Sequence, residues 1–309
     1  MKDQQPSKFD VTGAIDLHVH CGPEGIPRRF DPVSLAEHVK HSRLGGAVLK
    51  SHVTSTGSWA EIAHRLAGTR LHGSIVLNHY VGGINPMAVR GALGPETDGK
   101  PYLKVVWLPT VHAAAHLNAR HHEGEAYDIP PEWCGGTVSN LALSIDQVEP
   151  INVLAPELQQ SLDDVLRLVA QHDLVLATGH VGRDEVFHTV DRAQKLGVQK
   201  IIVTHPCYDP PALDTDDLRT LAASGAYVEL SYILIDLGIV TLAETADIMR
   251  RVGAARTILS TDMGQVDRVT PAEGLAKFGS GLLAHGVPLE DINTSMKDNP
   301  RNLLSLTGC

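Results

Sequence analysis

Eight short apolar runs, separated by segments with helical periodicity, constrain the fold of this chain more than any other feature. The runs are rich in β-branched residues and nearly continuous in apolar side chains, which is typical of strands in a parallel sheet that is buried on both faces. We place the predicted strands at Gly13–His20, Gly46–His52, Gly73–His79, Leu103–Thr110, Leu174–His180, Lys200–His205, Ala226–Tyr232 and Thr257–Asp262.

Most gaps between these runs carry apolar residues at helical spacing, and several begin with a typical helix N-cap residue, such as Asp31 before Pro32. The predicted helices are Pro32–Arg43, Ser58–Ala67, Pro156–Gln171, Asp184–Leu196, Asp214–Ser224 and Thr241–Val252. Strand–helix alternation repeated eight times predicts an α/β fold, a (β/α)8 TIM barrel, which we expect residues 1–309 to form as a single domain. An open doubly wound sheet is the second option, weakened because no Gly-x-Gly-x-x-Gly or Walker sequence follows any strand.

Two connections are longer than ordinary barrel loops. They follow predicted strands 3 and 4 and cover Gly82–Pro101 and Val111–Ala155. Loops this long in a compact protein are usually lids or binding loops. Because both follow the C-terminal end of a strand, a barrel places them on the face where such barrels carry their active sites.

Charge and composition exclude several classes of protein. The formal net charge is −10 and no cluster of Lys or Arg is present, which argues against a nucleic-acid partner. No apolar run is long enough to span a membrane, and residues 1–9 lack the apolar core of a signal peptide. The cysteines Cys21, Cys134, Cys207 and Cys309 lack a C-x-x-C spacing, so we expect free thiols in a reducing, cytoplasmic location.

Residue types that bind metals stand at the ends of four predicted strands. The first strand ends in DLHVH, and because alternate strand side chains share a face, His18 and His20 point the same way, about 7 Å apart. Three later strands end at His180, His205 and Asp262. A single strand-end histidine is usually structural, but four imidazoles and one carboxylate that converge at a barrel mouth predict a site for zinc or a similar divalent ion.

The chain resembles the amidohydrolase superfamily of metal-dependent (β/α)8 enzymes. That superfamily carries His-x-His on strand 1, His on strands 5 and 6, and Asp on strand 8. The matching sequences here are DLHVH with His18 and His20, LATGH with His180, IIVTHP with His205, and ILSTDMG with Asp262. The DNPRNLL stretch near the C-terminus also resembles an Asn-Pro-x-x-x-Leu segment of the superfamily, so the match extends over nearly the whole chain.

The resemblance implies hydrolysis of an amide, a cyclic imide, a lactone or a related ester. A divalent ion makes hydroxide available by lowering the pKa of bound water, with Asp262 as the general base. His18, His20 and Asp262 would hold one ion, and His180 and His205 another, while His205 or the second ion polarises the substrate carbonyl. The expected ion is zinc, with Mn, Co or Fe as alternatives, at one or two per chain.

The chain departs from the superfamily pattern in the residue that bridges two metal ions, and Lys50 is the candidate replacement. Binuclear members often bridge two metals with a carboxylated Lys or a Glu on strand 4, and the predicted strand Leu103–Thr110 offers neither at its end. Lys50 on strand 2 shares parity with His52 and is the only lysine near the C-terminal end of a predicted strand. We rank a metal-bridging carbamate on Lys50 first, a contact with a substrate carboxylate second, and a lysine that snorkels outward third.

Substrate contacts are predicted on loops that follow strand ends. The loop arginines Arg28, Arg29, Arg90, Arg183 and Arg268 are each able to pair with a carboxylate, and Arg183 is preferred because it follows His180 by three residues. The other candidates are His52, His79, Asn85 and Tyr232. The expected partner is a small molecule, with a carboxylate-bearing substrate as one option. The frequent dimers and tetramers of the superfamily suggest a homo-oligomer.

Three other functions fit part of the pattern. A mononuclear decarboxylase of the same superfamily would hold one ion and use His205 as acid/base. A phosphoesterase also begins with Asp-x-His-x-His, but it usually ends in an Asp-x-His pair, whereas Met-Gly follows Asp262 here. A non-catalytic binding barrel predicts an incomplete set of ligands.

Overall fold

The computed structural model describes residues 9–122, 124 and 127–306, and Cys309 therefore lies outside the described residues. Eight parallel strands of the described chain follow the order that the sequence predicts. They are β1 (Ile15–His20), β2 (Gly46–Lys50), β3 (Gly73–Val76), β4 (Leu103–Trp107), β5 (Val175–Ala177), β6 (Ile201–Val203), β7 (Tyr227–Ser231) and β8 (Thr257–Ser260). A small antiparallel hairpin, Glu96–Thr97 with Lys100–Pro101, lies in the connection after β3.

Backbone pairing closes these eight strands into a ring. β1 pairs with β2, and β3 to β8 pair in chain order, all in parallel. Two isolated parallel bridges join the two groups, Val48 to His72 between β2 and β3, and Val19 to Met263 between β1 and the end of β8. At the second seam His20 N donates to Met263 O over 2.8 Å. The predicted (β/α)8 barrel is therefore confirmed, and the open doubly wound sheet is wrong.

Helices alternate with the strands, and each predicted helix is present with ends that shift by up to three residues. The helices are α1 (Pro32–His41), α2 (Gly57–Ala67), α3 (Pro86–Ala92), α4 (Ala114–His122), α5 (Gln159–Gln171), α6 (Arg183–Lys195), α7 (Thr215–Ala223), α8 (Tyr232–Asp236), α9 (Leu242–Val252), α10 (Pro271–Ala284), α11 (Leu289–Asn293) and α12 (Asn299–Leu303). Asp31 caps α1 as expected, since its side chain accepts hydrogen bonds from Val33 N and Ser34 N. No helix of the described chain has both the length and the apolar character needed to cross a bilayer.

The apolar core forms two layers around the sheet. The inner cluster takes side chains from strands around the ring, including Ile15, Trp107 and Ile258, and Leu303 and Leu304 at the end of α12 join it. The larger cluster contains apolar residues of both strands and helices. Burial of each such large side chain contributes about 1.5–3 kcal/mol. The DNPRNLL stretch therefore has a structural role at the base of the barrel.

Candidate metal centre

The closing seam of the barrel brings the loop after β8 against the end of β1. Asp262 N donates a hydrogen bond to His18 O over 2.9 Å. Gly264 has φ +147°, and a Cβ at this position would lie 2.1 Å from His20 O. Only a glycine permits this approach. The close approach at this seam explains why a glycine stands at position 264.

Three of the predicted ligands converge at this seam. Asp262 Oδ1 lies 3.1 Å from His18 Nε2 and 3.0 Å from His20 Nε2. The three ligand atoms all lie within 4.8 Å of one another. One divalent ion with ligand bonds of about 2.0–2.2 Å spans such a group. The two histidines of DLHVH therefore point the same way, as their spacing predicts.

His180 and His205 lie beside this group. The ring centroids of His18 and His205 are 5.8 Å apart, and those of His180 and His205 are 5.0 Å apart. The Nδ1 atom of His205 is buried and has no hydrogen-bond partner among the described residues. The structure thus gathers all five predicted strand-end residues at one mouth, with three of them in the tightest group.

Two of these residues have a strained backbone. His205 has φ +21° and Asp262 has φ +56°, a region that residues other than glycine rarely adopt. Because the chain leaves the extended conformation here, β6 ends at Val203 and β8 at Ser260, two residues before the predicted ends. Backbone strain of this kind is concentrated at functional sites.

Glu229 in β7 orients His18, and the sequence analysis did not single it out. Its Oε1 accepts hydrogen bonds from His18 Nδ1 over 3.1 Å and from Ser260 Oγ over 2.7 Å, and its Oε2 accepts one from His205 N over 3.3 Å. With the Nδ1 proton on the carboxylate side, Nε2 of His18 keeps its lone pair for a cation. The sequence signal for Glu229 was its position inside the apolar run Ala226–Tyr232. A charged side chain in a strand that is buried on both faces needs a partner, so this carboxylate could have been predicted to contact a polar group of the site.

Lys50 reaches the same centre from the end of β2. Its side chain is fully buried, and Nζ lies 2.8 Å from His18 Nε2 and 4.4 Å from the centroid of the Trp107 ring. Trp107 is the last residue of β4, so an indole fills the end of the strand on which the superfamily pattern places a bridging residue. The third-ranked prediction, a lysine that snorkels outward, is wrong because the amine lies among the predicted ligands.

Burial keeps the imidazoles neutral. It lowers the pKa of His18 and of His205 to about 3, and it holds the pKa of His20 and of His180 well below the usual value. Neutral imidazole is the form that binds metal ions. Burial also raises the pKa of Asp262, against the opposing effects of His18 and Lys50. Because a divalent cation compensates a buried carboxylate, this donor set fits a metal ion.

A buried ion pair lies next to His20. Arg28 Nε donates to Glu24 Oε1 over 2.6 Å, and Arg28 Nη2 lies 3.0 Å from His20 Nδ1. A guanidinium has no acceptor atom, so it donates to Nδ1, and neutral His20 then carries its proton on Nε2, facing Asp262. Binding of a cation at Nε2 of His20 therefore requires either release of that proton or loss of the Arg28 contact.

A cavity of about 270 Å³ opens beside these residues. Its lining includes the polar side chains of His20, Lys50, His52, His180, His205 and Asp262. It also includes the apolar side chains of Ile233, Leu234, Leu237 and Ile239, which we call the apolar wall. Trp133 comes from the long connection after β4, and its ring stacks with the ring of His52 at a centroid distance of 5.4 Å. The cavity therefore combines polar side chains with the apolar wall and an aromatic side chain.

Arginines that line the cavity are each paired with an acidic side chain. Besides the buried pair of Arg28, Arg120 Nη1 lies 3.1 Å from Glu132 Oε1. Arg268 Nη1 lies 2.6 Å from Asp236 Oδ2. These pairs neutralise the cationic charge around the mouth.

Residues 13–229 match the model of a family described as "Family of unknown function (DUF6282)". The chain belongs to this family. Comparison with the curated proteins found no significant match to the DUF6282 chain.

Several solved structures share the fold at low sequence identity. Organophosphorus hydrolase from Deinococcus radiodurans is 13% identical, with a TM-score of 0.58 over 96% of this chain and 93% of that chain. An amidohydrolase from Pseudomonas aeruginosa is 11% identical, with a TM-score of 0.53 over 95% of each chain. A structure titled as the engineering of organophosphate hydrolysis activity from a weak promiscuous lactonase template is 13% identical, with a TM-score of 0.58 over 96% of each chain. The resemblance to the amidohydrolase superfamily is thus confirmed at the level of the fold.

Two side chains that the sequence predicts as substrate contacts, Arg183 and Asn85, instead form an ion pair and a helix cap away from the cavity. Arg183 is half-exposed and pairs with Asp217, with Nε donating to Oδ2 over 2.7 Å and Nη2 to Oδ1 over 2.5 Å. Asn85 caps α3, and its Oδ1 accepts a hydrogen bond from Met87 N over 2.9 Å. Neither side chain lines the cavity, so we withdraw Arg183 and Asn85 from the proposed substrate contacts.

His79 and Tyr232 are also directed elsewhere, whereas His52 stays at the site. His79 Nε2 donates to a backbone carbonyl, Glu149 O, over 2.6 Å. Tyr232 packs against Phe278 in the core with ring centroids 5.8 Å apart. His52 is buried, lines the cavity and remains a proposed contact of this DUF6282 protein.

Proposed function

We propose that this DUF6282 protein is a metal-dependent hydrolase that cleaves an amide, a cyclic imide, a lactone or a related ester bond. The observation that best supports the proposal is the group formed by Asp262, His18 and His20 at the mouth of a cavity of about 270 Å³. Neutral buried imidazoles and a carboxylate are the donors that zinc and similar ions take. The titles of the structural neighbours, an amidohydrolase and an organophosphorus hydrolase, agree with this chemistry.

In the proposed hydrolysis, each residue of the site has a separate chemical role. A bound divalent ion supplies a Lewis acid and lowers the pKa of water. Asp262 takes the proton of the water nucleophile and passes it to the leaving group, and the burial that raises its pKa also makes it a stronger base. His205 lines the cavity and donates to the substrate carbonyl, while Asp262, His18 and His20 hold the cation together with His180.

Lys50 supplies the bridging ligand if two ions bind. Burial lowers its pKa to about 8, so the neutral amine is accessible near neutral pH. The amine forms a bond to the carbon of carbon dioxide and releases a proton to water, which yields an anionic carbamate. The position of Nζ, 2.8 Å from His18 Nε2, brings such an oxygen donor to the predicted ligands.

The cavity favours a neutral substrate with an apolar substituent. The arginines at the mouth are already paired with Glu24, Glu132 and Asp236, so a substrate carboxylate has to displace an acidic side chain from one of them. The apolar wall, which includes Leu237 and Ile239, offers a place for a hydrocarbon group. We therefore rank neutral esters, lactones and amides above substrates that bear a carboxylate.

A mononuclear decarboxylase of the same superfamily is the second candidate. The observation in its favour is that three ligand atoms form the tightest group, which suits one ion. The paired arginines argue against it, because a decarboxylase substrate carries a carboxylate. The number of metal ions bound per chain distinguishes the mononuclear decarboxylase from a binuclear hydrolase. A value near one zinc per chain favours this candidate, and a value near two excludes it.

The test of the proposed function uses the whole protein loaded with zinc. We expect turnover on some members of a panel of neutral lactones and aryl esters, and a loss of at least about 100-fold in kcat for Asp262→Asn, in line with the removal of a general base. Asp267→Asn, an exposed aspartate in the same loop, is the matched control and should keep full activity. Unimpaired activity of Asp262→Asn contradicts the catalytic assignment, and failure of the wild-type protein to retain zinc, manganese, cobalt or iron contradicts the proposal as a whole.

A further inference from the structure

His116 on α4 connects the long insertion after β4 to the metal centre. Its Nδ1 lies 3.3 Å from Nδ1 of His180, and its Nε2 lies 2.9 Å from the backbone oxygen of Asp128. The side chains of His116 and His180 are both buried. The ring centroids are 5.2 Å apart, so the two imidazoles are in direct contact.

The hydrogen-bond partners determine which ring nitrogen carries the proton in His116 and in His180. A carbonyl oxygen accepts only, so Nε2 of His116 must donate to Asp128 O. A neutral imidazole has a single N–H group, and Nδ1 of His116 is therefore left as an acceptor. The proton between the two rings then belongs to Nδ1 of His180. As a consequence, Nε2 of His180 keeps its lone pair.

Asp128, whose backbone oxygen accepts the hydrogen bond from His116, is itself held in place. The Oδ1 atom of Asp128 accepts hydrogen bonds from Ile129 N over 2.9 Å and from Leu143 N over 2.7 Å. Its Oδ2 lies 2.9 Å from Nε2 of His112. These contacts anchor Asp128 within the insertion, so the backbone oxygen that faces His116 has a defined position.

We propose that His116 is a positioning residue that fixes His180 in the tautomer whose Nε2 is free to bind a divalent cation. The inference rests on the proposed function for the cation, whereas the tautomer itself does not depend on it. The arrangement is the counterpart of the contact between Glu229 and His18. One ligand is oriented by a carboxylate of the barrel sheet, and the other by an imidazole of the insertion.

The first test reads the tautomers in the metal-free protein. Nitrogen-15 NMR of the imidazole side chains distinguishes a protonated Nδ1 from a protonated Nε2, and the signals that His116→Asn removes assign that ring. We expect His116 to carry its proton on Nε2 and His180 to carry its proton on Nδ1. A wild-type His180 that is protonated on Nε2 overturns the proposal.

The second test measures zinc affinity by competition with a chelator in two variants. His116→Leu keeps an apolar volume but removes the acceptor, and we expect zinc affinity to fall by about 10- to 100-fold. His116→Asn places an amide oxygen near the Nδ1 position, so we expect affinity within about threefold of wild type. The control is His121→Gln on the same helix, where the side chain is exposed.

The zinc affinities of His116→Leu and His116→Asn distinguish a positioning role of His116 from a role in packing alone. If His116 only fills space, His116→Leu retains zinc and His116→Asn loses it, which overturns the proposal. If the wild-type protein itself retains none of zinc, manganese, cobalt and iron, the proposed hydrolase is wrong, and the NMR measurement on the metal-free protein still decides whether His116 sets the tautomer of His180.

Discussion

The ring of His18 donates through Nδ1 to Glu229 Oε1 over 3.1 Å, while its Nε2 faces Asp262 Oδ1 at the same distance. One imidazole thus connects β7, β1 and the loop after β8. Because the carboxylate behind a ligand histidine fixes its tautomer and raises its basicity, Glu229 should control how tightly the centre holds a cation.

Replacement of Glu229 by Gln is expected to weaken zinc binding by about tenfold or more, since a neutral amide is a poorer acceptor for the His18 N–H than a carboxylate. Chelator competition on the purified protein measures the change. Glu290→Gln, at an exposed position, is the control and should bind zinc as wild type does. Equal affinities in the two variants would show that Glu229 has no part in orienting the ligand.

Replacement of Lys50 by Met tests the bridging carbamate. We expect the zinc content to fall from two ions per chain to one, while the thermal midpoint stays the same or rises, because an apolar side chain of similar length replaces a buried amine. Elemental analysis and thermal denaturation measure the two quantities. Lys40→Met, at an exposed site, is the control. Two zinc ions per chain in Lys50→Met would rule out the bridge.

The apolar wall of the cavity should set substrate preference. Leu237 and Ile239 are 42% and 45% exposed and line the cavity. A charge at Leu237→Asp is expected to raise KM about tenfold for esters with a butyl or phenyl group, and to leave acetyl esters nearly unchanged, because only the larger groups reach this wall. Leu289→Asp, an exposed leucine away from the cavity, is the control. A uniform change in KM across the ester series would contradict this assignment.

Buried neutral histidines should make the protein sensitive to acid, and His72 tests this away from the metal centre. Burial lowers the pKa of His72 from 6.5 to about 3. The unfolded chain therefore gains a proton as the pH falls below about 6.5 and the folded chain does not, so the stabilisation is complete above that pH and is lost as the pH falls towards 3.

Between pH 7 and pH 5 this single histidine accounts for roughly 2 kcal/mol of lost unfolding free energy. His72→Leu should reduce the loss by about that amount, as measured by urea unfolding at the two pH values. His41→Leu, on an exposed side chain, should leave the pH dependence unchanged. An identical pH dependence in His72→Leu and the wild-type protein would mean that His72 is not held neutral by the fold.

The order of the strands was predictable because continuous apolar, β-branched runs are a local signal of a buried parallel sheet. The strand ends were less predictable. The predicted strand runs to His205, whereas β6 ends at Val203, the backbone has a positive φ at His205, and His205 N donates to Glu229 Oε2 in another strand. Hydropathy carries no information on such a turn.

The residues that converge at the barrel mouth were visible in the sequence because residue type and position at strand ends are sufficient to indicate convergence in a barrel. The other side chains that line the cavity were less visible. Arg183 follows His180 by three residues, yet its guanidinium pairs with Asp217 on the next helix. A pairing of this kind depends on where two helices lie side by side, and neither local sequence shows it.

The insertion between β4 and β5 contributes Trp133 to the cavity and His116 to the tautomer of His180. Mutations in this one segment would then alter which molecules enter and how firmly the cation is retained at the same time. Laboratory evolution of a new substrate range through this segment should therefore yield variants that demand more zinc in the medium. Changes confined to Leu237 and Ile239 should diversify the substrate range without that dependence.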